Sequence, residues 1–225
     1  MSIYFNNVKH KMDFNRIDYI NETEYKSLLD GSITSITIPK TITTVVDLSF
    51  KGCKQLQTVV IPNHVDWLGW ECFMNCTALE SVTFEKPCQI TETDAYCFAN
   101  CGFKTFEIPN SMTLLCECFF DGCSSLESIT FEENSQMTEF SYSCFYGCTS
   151  LKNIELPDSL EYIADGCFSQ CTSLTEITIP SSVTGIASDA FDNCFNLTTI
   201  IVNQSEDSIE DAPWGAENAT VVWNG

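Results

Sequence analysis

The residues best able to do chemistry in this sequence are its cysteines, of which there are 14 in 225 residues. Eight of them form pairs with C-x-x-x-C spacing, namely Cys72/Cys76, Cys97/Cys101, Cys144/Cys148 and Cys167/Cys171. Zinc sites usually use a tighter C-x-x-C spacing or add histidines, and the sequence has only His10 and His64. The pattern therefore predicts neither a metal site nor a cofactor.

Carboxylates are the second group that could support a reaction. Two of them, Glu155 and Glu176, could act together as general acid and base. Nothing in the sequence supplies the apolar pocket that would separate their roles. The usual nucleophile, zinc-protease and phosphate-loop motifs are missing as well. We expect no enzyme activity, with a glycan-acting enzyme as a remote alternative.

The charge balance of the chain excludes one large class of partner. Ten Lys and Arg against 31 Asp and Glu give a net charge of -21, which repels nucleic acids and anionic membrane surfaces. The only basic residue after position 104 is Lys152, so the C-terminal half is strongly acidic. This distribution favours a basic protein partner.

Hydropathy predicts no membrane insertion. No apolar run approaches the roughly 18 residues that a membrane-spanning helix needs. The first residues lack the apolar segment of a signal peptide. The compartment therefore stays unknown: we expect a cytoplasmic protein as synthesised, with the cell surface or a virion as alternatives.

The elements that must position these side chains come from an internal repeat. A Phe-x-x-Cys motif recurs at intervals of 22 to 25 residues, and apolar residues stand five and eight positions before nearly every Phe; only Thr93 departs from this rule. After each Cys follows a segment of alternating apolar residues, such as residues 56–62, which is typical of a short strand with one buried face. So short a unit cannot bury its own apolar face, so successive units must stack into a solenoid. The motif stands at Phe50/Cys53, Phe73/Cys76, Phe98/Cys101, Phe120/Cys123, Phe145/Cys148, Phe168/Cys171 and Phe191/Cys194.

Stacking raises the question of disulfide bonds between the cysteines. Equivalent residues of adjacent turns lie about 4.8 Å apart, which is within the Cα distance that a disulfide tolerates. The alternative is that the thiols are free and fill the turns as small buried apolar groups. We favour the free thiols.

With its columns aligned, the sequence resembles the BspA-like leucine-rich repeats, whose consensus is approximately L-x-x-I-x-I-P-x-x-V-x-x-I-x-x-x-A-F-x-x-C. Residues 172–194 match this consensus almost column for column, and residues 211–225 resemble the terminal cap of such arrays. The main departure is that Cys replaces the family's Ala before Phe in four units. The resemblance implies a curved coil with strands on the concave side and irregular turns on the convex side. It also implies a role in adhesion or protein interaction without catalysis.

These observations predict one leucine-rich-repeat solenoid of about seven rungs of 22–25 residues, with a short parallel strand in each rung and irregular or 3-10 turns opposite. Residues 1–32 are predicted to form an N-terminal cap with a short helix over 22–29, where Asn21 and Glu24 resemble a capping box. The repeats span residues 33–202, and residues 203–225 form a C-terminal cap.

Two surfaces are candidates for binding. Aromatic residues occupy positions on the convex side where the family has small or polar residues, and Trp and Tyr dominate binding hot spots; three of them, Trp67, Trp70 and Tyr96, form a contact patch or else pack locally over the turns. The strands present acidic residues on the concave side. We expect a protein-interaction or adhesion module, whose partner is a basic host surface or matrix protein; the alternative is a structural component of a phage virion or another assembly, in contact with other virion proteins. The candidate residues are Trp67, Trp70, Tyr96, Tyr142, Tyr162, Glu107, Glu155 and Glu176.

Overall fold

The computed structural model describes residues 2–5, 8–11, 33–38 and 42–225, which wind into a solenoid of about eight turns. No helix occurs in these ranges. The predicted helix over residues 22–29 lies outside them. The predicted class of fold, a stacked coil of parallel strands, is confirmed.

Each complete turn of the coil contains one strand of the first ladder and one Phe-x-x-Cys segment. Most turns also contain a two-residue strand between them. The strands are β1 (Ser2–Phe5), β2 (Val8–Lys11), β3 (Ser35–Thr37), β4 (Thr44–Val45), β5 (Thr58–Ile61), β6 (Trp67–Leu68), β7 (Ser81–Phe84), β8 (Thr105–Ile108), β9 (Leu114–Leu115), β10 (Ser128–Phe131), β11 (Glu139–Phe140), β12 (Asn153–Ile154), β13 (Tyr162–Ile163), β14 (Glu176–Ile179), β15 (Gly185–Ile186), β16 (Thr199–Val202) and β17 (Thr220–Trp223).

The long strands, most of which follow the Cys of a Phe-x-x-Cys motif, are parallel to each other and hydrogen-bond in register from one turn to the next. Their ladder has three parts, β3-β5-β7, β8-β10-β12 and β14-β16-β17, and no pairing joins β7 to β8 or β12 to β14. At the N-terminal end, β1 and β2 form an antiparallel hairpin that pairs with β3. Outward side chains of these strands form one surface, which we call the long-strand face.

Alternating burial explains why these segments are strands. In β5, Val59 and Ile61 are buried while Thr58 and Val60 face outward. Pro62 follows directly and has no N–H to donate, so it ends the strand. The period-two pattern in the sequence therefore predicts the right elements.

The two-residue strands other than β12 form a second ladder, which was not predicted as a sheet. They pair as β4-β6 and as β9-β11-β13-β15. The gap between these two parts falls at Thr93, the one residue of its column that is not apolar. Thr93 is buried there, and its hydroxyl donates to the carbonyl of Asp94 (3.2 Å). The chain does not form a two-residue strand at this position.

The Phe-x-x-Cys turns form a third ladder. The Phe145 N–H donates to the carbonyl of Cys167 in the next turn (2.8 Å), and the same bond recurs from Phe50 to Cys72 (2.7 Å). Residues two positions before and two after each Phe mostly have positive φ, for example Tyr96 (58°) and Asn100 (56°). Gly and Asn tolerate this conformation best, which explains their prevalence two positions after Phe.

The core consists of stacked rings and thiols. Phe145 and Phe168 stack with ring centroids 5.1 Å apart, and similar pairs run through most turns. Each Cys of the motif after Cys53 donates its thiol to the Phe carbonyl of the preceding turn, as Cys76 does to Phe50 (3.1 Å) and Cys194 to Phe168 (3.0 Å). The structure has the 14 cysteines as free thiols, and those of the motif after Cys53 act as buried donors as well as apolar filling.

The C-terminal cap closes the last turn. Trp214 is fully buried, and its carbonyl accepts the N–H of Phe191 (2.9 Å) in place of another repeat. Its indole N–H donates to the carbonyl of Glu210 (2.6 Å). The last strand, β17, lies within the residues predicted for this cap. The domain limits themselves stay a prediction.

Candidate interaction surface

The three predicted carboxylates lie on the long-strand face and are exposed. Glu107 pairs in register with Thr130, Glu176 pairs with Thr199, and Glu155 follows directly after β12. Glu155 and Glu176 belong to turns whose long strands do not pair, and the groove that Glu155 lines does not include Glu176. The structure therefore does not assemble them into a joint acid and base site.

The predicted aromatic residues occupy two different places. Trp67 and Tyr162 open the two-residue strands β6 and β13, whereas Trp70, Tyr96 and Tyr142 lie in the Phe-x-x-Cys turns. Within the described chain no ring contact joins Trp67, Trp70 and Tyr96. The proposed patch of three is therefore not a packed aromatic cluster.

Trp70 is held by the turn that precedes it. Its backbone N–H donates to the Asp47 carboxylate (3.0 Å), and the Lys51 ammonium lies 5.8 Å from the centre of its ring. Lys51 also forms an ion pair with Glu71. The Trp70 side chain is 39% exposed, so its position is fixed while much of its ring faces solvent.

Tyr96 is directed towards the following turn instead. A hydrogen bond with Cys118 is the first cause that raises the pKa of the Tyr96 hydroxyl to about 12, and burial and nearby carboxylates add to it. Its side chain is half-buried. Local packing over the turn therefore describes Tyr96 better than it describes Trp70.

A second group of exposed tyrosines includes one that the sequence analysis missed. Tyr142 is 54% exposed and Tyr162 is 39% exposed, and a Cβ at Gly185 would lie only 3.0 Å from the Tyr162 ring. Tyr146, in the same turn as Tyr142, is 36% exposed, and its hydroxyl accepts a hydrogen bond from Gln170. Its column holds Lys51, Asp121 and Asp192 in other turns, a contrast that could have identified it.

The loops of the two 25-residue units shape the edge of the long-strand face. Loop A (residues 84–89) and loop B (residues 131–136) lie at the same phase of the repeat, with one turn between them. Glu85 and Glu132 stand where other units have Pro. The Glu132 carboxylate accepts the backbone N–H of Asn110 (3.2 Å) in the preceding turn, and Glu85 accepts that of Asn63 (3.4 Å).

Loop B has a groove on each side. Groove 1, of about 730 Å³, lies between loops A and B, and groove 2, of about 700 Å³, lies between loop B and residues 155–159. They share Phe131, Glu132 and Asn134. The grooves could not be predicted from the sequence, because they depend on how neighbouring turns are spaced.

A family model matches this repeat pattern over most of the chain. The BspA type leucine rich repeat region matches residues 18–102 and 91–216 with 6 copies. The chain belongs to this family. No curated protein matches it. The predicted family is thereby confirmed, and with it the coarse expectation that the protein suits an interaction role.

Several solved bacterial leucine-rich repeat proteins are similar to this BspA-type chain. One from Bacteroides ovatus is 24% identical over 85% of this chain and 66% of its own, with a TM-score of 0.49. One from Eubacterium ventriosum is 21% identical over 91% of this chain and 70% of its own, with a TM-score of 0.48. A leucine rich cell surface protein from Faecalibacterium prausnitzii is 16% identical over 100% and 95%, with a TM-score of 0.37. The BspA-type chain thus spans just under two thirds of the Bacteroides ovatus protein.

In the described ranges, no group of three or more His, Cys, Asp or Glu side chains is arranged to hold a metal ion. None of the described residues form a helix long and apolar enough to cross a bilayer.

Proposed function

We propose that this BspA-type chain is a non-catalytic protein-interaction or adhesion module that binds a basic protein partner through its long-strand face. The observation that carries this proposal is the charge of that face. Glu107, Glu155 and Glu176 are exposed on it, and Lys152, the sole basic residue after position 104, is already paired with Glu127 (2.7 Å). The acidic face therefore has unpaired carboxylates for cations of a partner.

Capture experiments with matched charge variants test the proposal. The triple variant Glu107→Gln, Glu155→Gln, Glu176→Gln removes three charges from the face. The control Glu80→Gln, Glu117→Gln, Glu161→Gln removes three exposed charges elsewhere. From extracts of the native source and of host tissue, the wild type and the control should retain a common saturable partner that the first variant loses. Equal retention by both variants, or the absence of saturable retention, contradicts the proposal.

The exposed aromatics form a second contact surface in this proposal. Trp70→Ala combined with Tyr142→Ala removes two side chains that are 39% and 54% exposed. Both side chains are partly buried, but neither belongs to the buried core, so the melting temperature should fall by less than about 5 °C, while affinity for the captured partner should fall several-fold. A large loss of thermal stability with unchanged affinity would assign these residues to packing.

A further inference from the structure

The two grooves beside loop B differ in what occupies them. Groove 1 already holds a cation of the chain itself: the Lys86 ammonium reaches across the intervening turn to the Glu132 carboxylate (2.9 Å). Glu107 and Glu133 also line this groove. The pKa of Lys86 is raised, first by the hydrogen bond with Glu132 and also by the charges of Glu107 and Glu133. The walls of groove 1 thus suit an ammonium group.

Groove 2 has a comparable lining but no cation. Phe131, Leu156 and Pro157 supply half-buried apolar surface, and Glu155 and Asp158 supply exposed carboxylates. No basic residue lines the groove. Lys152 does not reach it, because its ammonium pairs with Glu127 before the start of β10.

The backbone explains why groove 2 is open. β12 ends at Ile154, so its pairing with β10 stops after Ser128↔Asn153 and Ile129↔Ile154. On the other side, no pairing joins β12 to β14. Residues 155–157 therefore leave the ladder, and the space between them and loop B stays unfilled.

We propose that groove 2 binds one lysine or arginine side chain of the protein partner. The apolar walls suit the methylene stem of such a side chain, and the carboxylates of Glu155 and Asp158 suit its charged head. Lys86 in groove 1 gives a partial parallel within the molecule: its ammonium meets a groove carboxylate, that of Glu132 (2.9 Å), although its side chain is 69% exposed. This inference rests on the proposed function, since it identifies the group that the acidic face would recognise.

Binding of a small probe to the full chain tests the groove directly. N-acetyl-arginine amide is titrated into the isotope-labelled protein and followed by NMR, with the neutral citrulline analogue as a control probe. The arginine probe should shift residues 128–135 and 153–159, and the citrulline probe should not. Shifts spread over the whole acidic surface, or equal binding of both probes, would overturn the proposal.

Variants separate groove 2 from general charge attraction. Glu155→Gln with Asp158→Asn should weaken binding of the arginine probe at least fivefold. Glu161→Gln with Asp165→Asn removes two exposed charges outside the groove and outside the long-strand face, and should leave the affinity within about twofold. Equal losses in both double variants would show that net charge alone attracts the probe.

Removing the internal cation gives an independent test. Lys86→Met removes the ammonium that pairs with Glu132 and lies near the charges of Glu107 and Glu133, so a second probe should bind in groove 1, with shifts at residues 86–88 and 107–110. The wild type should bind in groove 2 alone. If Lys86→Met gains no second site while groove 2 also fails to bind, neither groove takes a cationic side chain.

The outcome for the groove is distinguishable from that of the proposed function. A captured partner that binds the wild type and the Glu155→Gln, Asp158→Asn variant equally overturns groove 2 as its docking site and leaves the interaction role intact. If the arginine probe binds but no protein partner binds saturably, the interaction role is contradicted while groove 2 remains a binding site for cationic side chains.

Discussion

At the residue scale, the Phe-x-x-Cys turns depend on a left-handed position two residues after each Phe. Gly147 occupies it with φ 68°, and a Cβ there would meet nothing closer than the Gly122 Cα at 3.8 Å. Gly147→Ala should therefore lower the free energy of unfolding by about 1 kcal/mol, through backbone strain alone. Chemical denaturation measures the change.

Gly102→Ala is the contrasting case. A Cβ at Gly102 would lie 2.2 Å from the carbonyl oxygen of Thr77, so the two turns would have to separate. The loss should clearly exceed that of Gly147→Ala. Equal losses would mean that conformation, and not close approach, is what requires glycine at position 102.

The residue types predicted which columns of the repeat are buried, but not which hydrogen bonds the buried side chains make. The Phe and Cys columns were predicted to be interior, and they are. The thiol donation to the preceding Phe carbonyl was not predicted, because spacing in sequence does not show which carbonyl a thiol will face. Gly102 likewise reveals its role only once Thr77 is placed beside it.

At the element scale, loop B is fastened more firmly than loop A. The Glu132 side chain is 12% exposed and accepts both Lys86 and the Asn110 N–H. Glu85 is exposed, and its bond to the Asn63 N–H is longer, at 3.4 Å. Glu132→Ala should cost about 1–2 kcal/mol of unfolding free energy, because it leaves a backbone donor and an ammonium without their partner.

Glu85→Ala is the matched control for loop B. It should cost less than about 0.5 kcal/mol, since solvent can replace an exposed, long hydrogen bond. Urea denaturation of both variants gives the comparison. If Glu85→Ala lowers the free energy of unfolding as much as Glu132→Ala does, then the position that both residues occupy in the repeat, and not their burial, decides the stability that they contribute.

Longer strands were easier to predict from the sequence than shorter ones. The four-residue long strands show a clear alternation and were foreseen, while the two-residue strands are too short to show a period. Their backbone pairing comes from stacking of the turns, so they form only where the neighbouring turn presents a partner. At Thr93, the one polar residue of this column, no two-residue strand forms, and the ladder is interrupted between β6 and β9.

At the scale of the whole molecule, the thiol core makes stability sensitive to alkaline pH. Twelve thiols have a raised pKa. Burial is the first cause for most, and it raises the pKa of Cys123 and Cys194 to about 12. For Cys53 and Cys76, a hydrogen bond to a neighbouring thiol comes first, and burial adds to it.

The sign of the effect follows from these shifts. Below about pH 8.5, thiols are protonated in the folded and unfolded chain alike, and they add no pH dependence. Above that value the unfolded chain ionises its thiols while the folded core retains its protons. Stability then falls with rising pH, by about 1.4 kcal/mol per pH unit for each such thiol.

Because many thiols act together, the folded chain should unfold cooperatively between about pH 9 and 10 in the presence of a reductant. Circular dichroism against pH measures the transition. The variant Cys148→Ala, Cys171→Ala should show a shallower dependence of its free energy of unfolding on pH, though a lower stability at pH 7. Stability that stays constant from pH 8 to 10 would contradict the picture of a protonated thiol core.

The sequence by itself determined the family, the repeat, the buried columns and the acidity, because each is written locally in residue type and recurs at a fixed spacing. Only the tertiary structure decided where the ladders break, which aromatic side chains remain exposed, and how the grooves beside loop B form. These features depend on the distance between neighbouring turns and on which atoms meet across it. Residues about 23 positions apart in the chain make those contacts, and no local pattern specifies them.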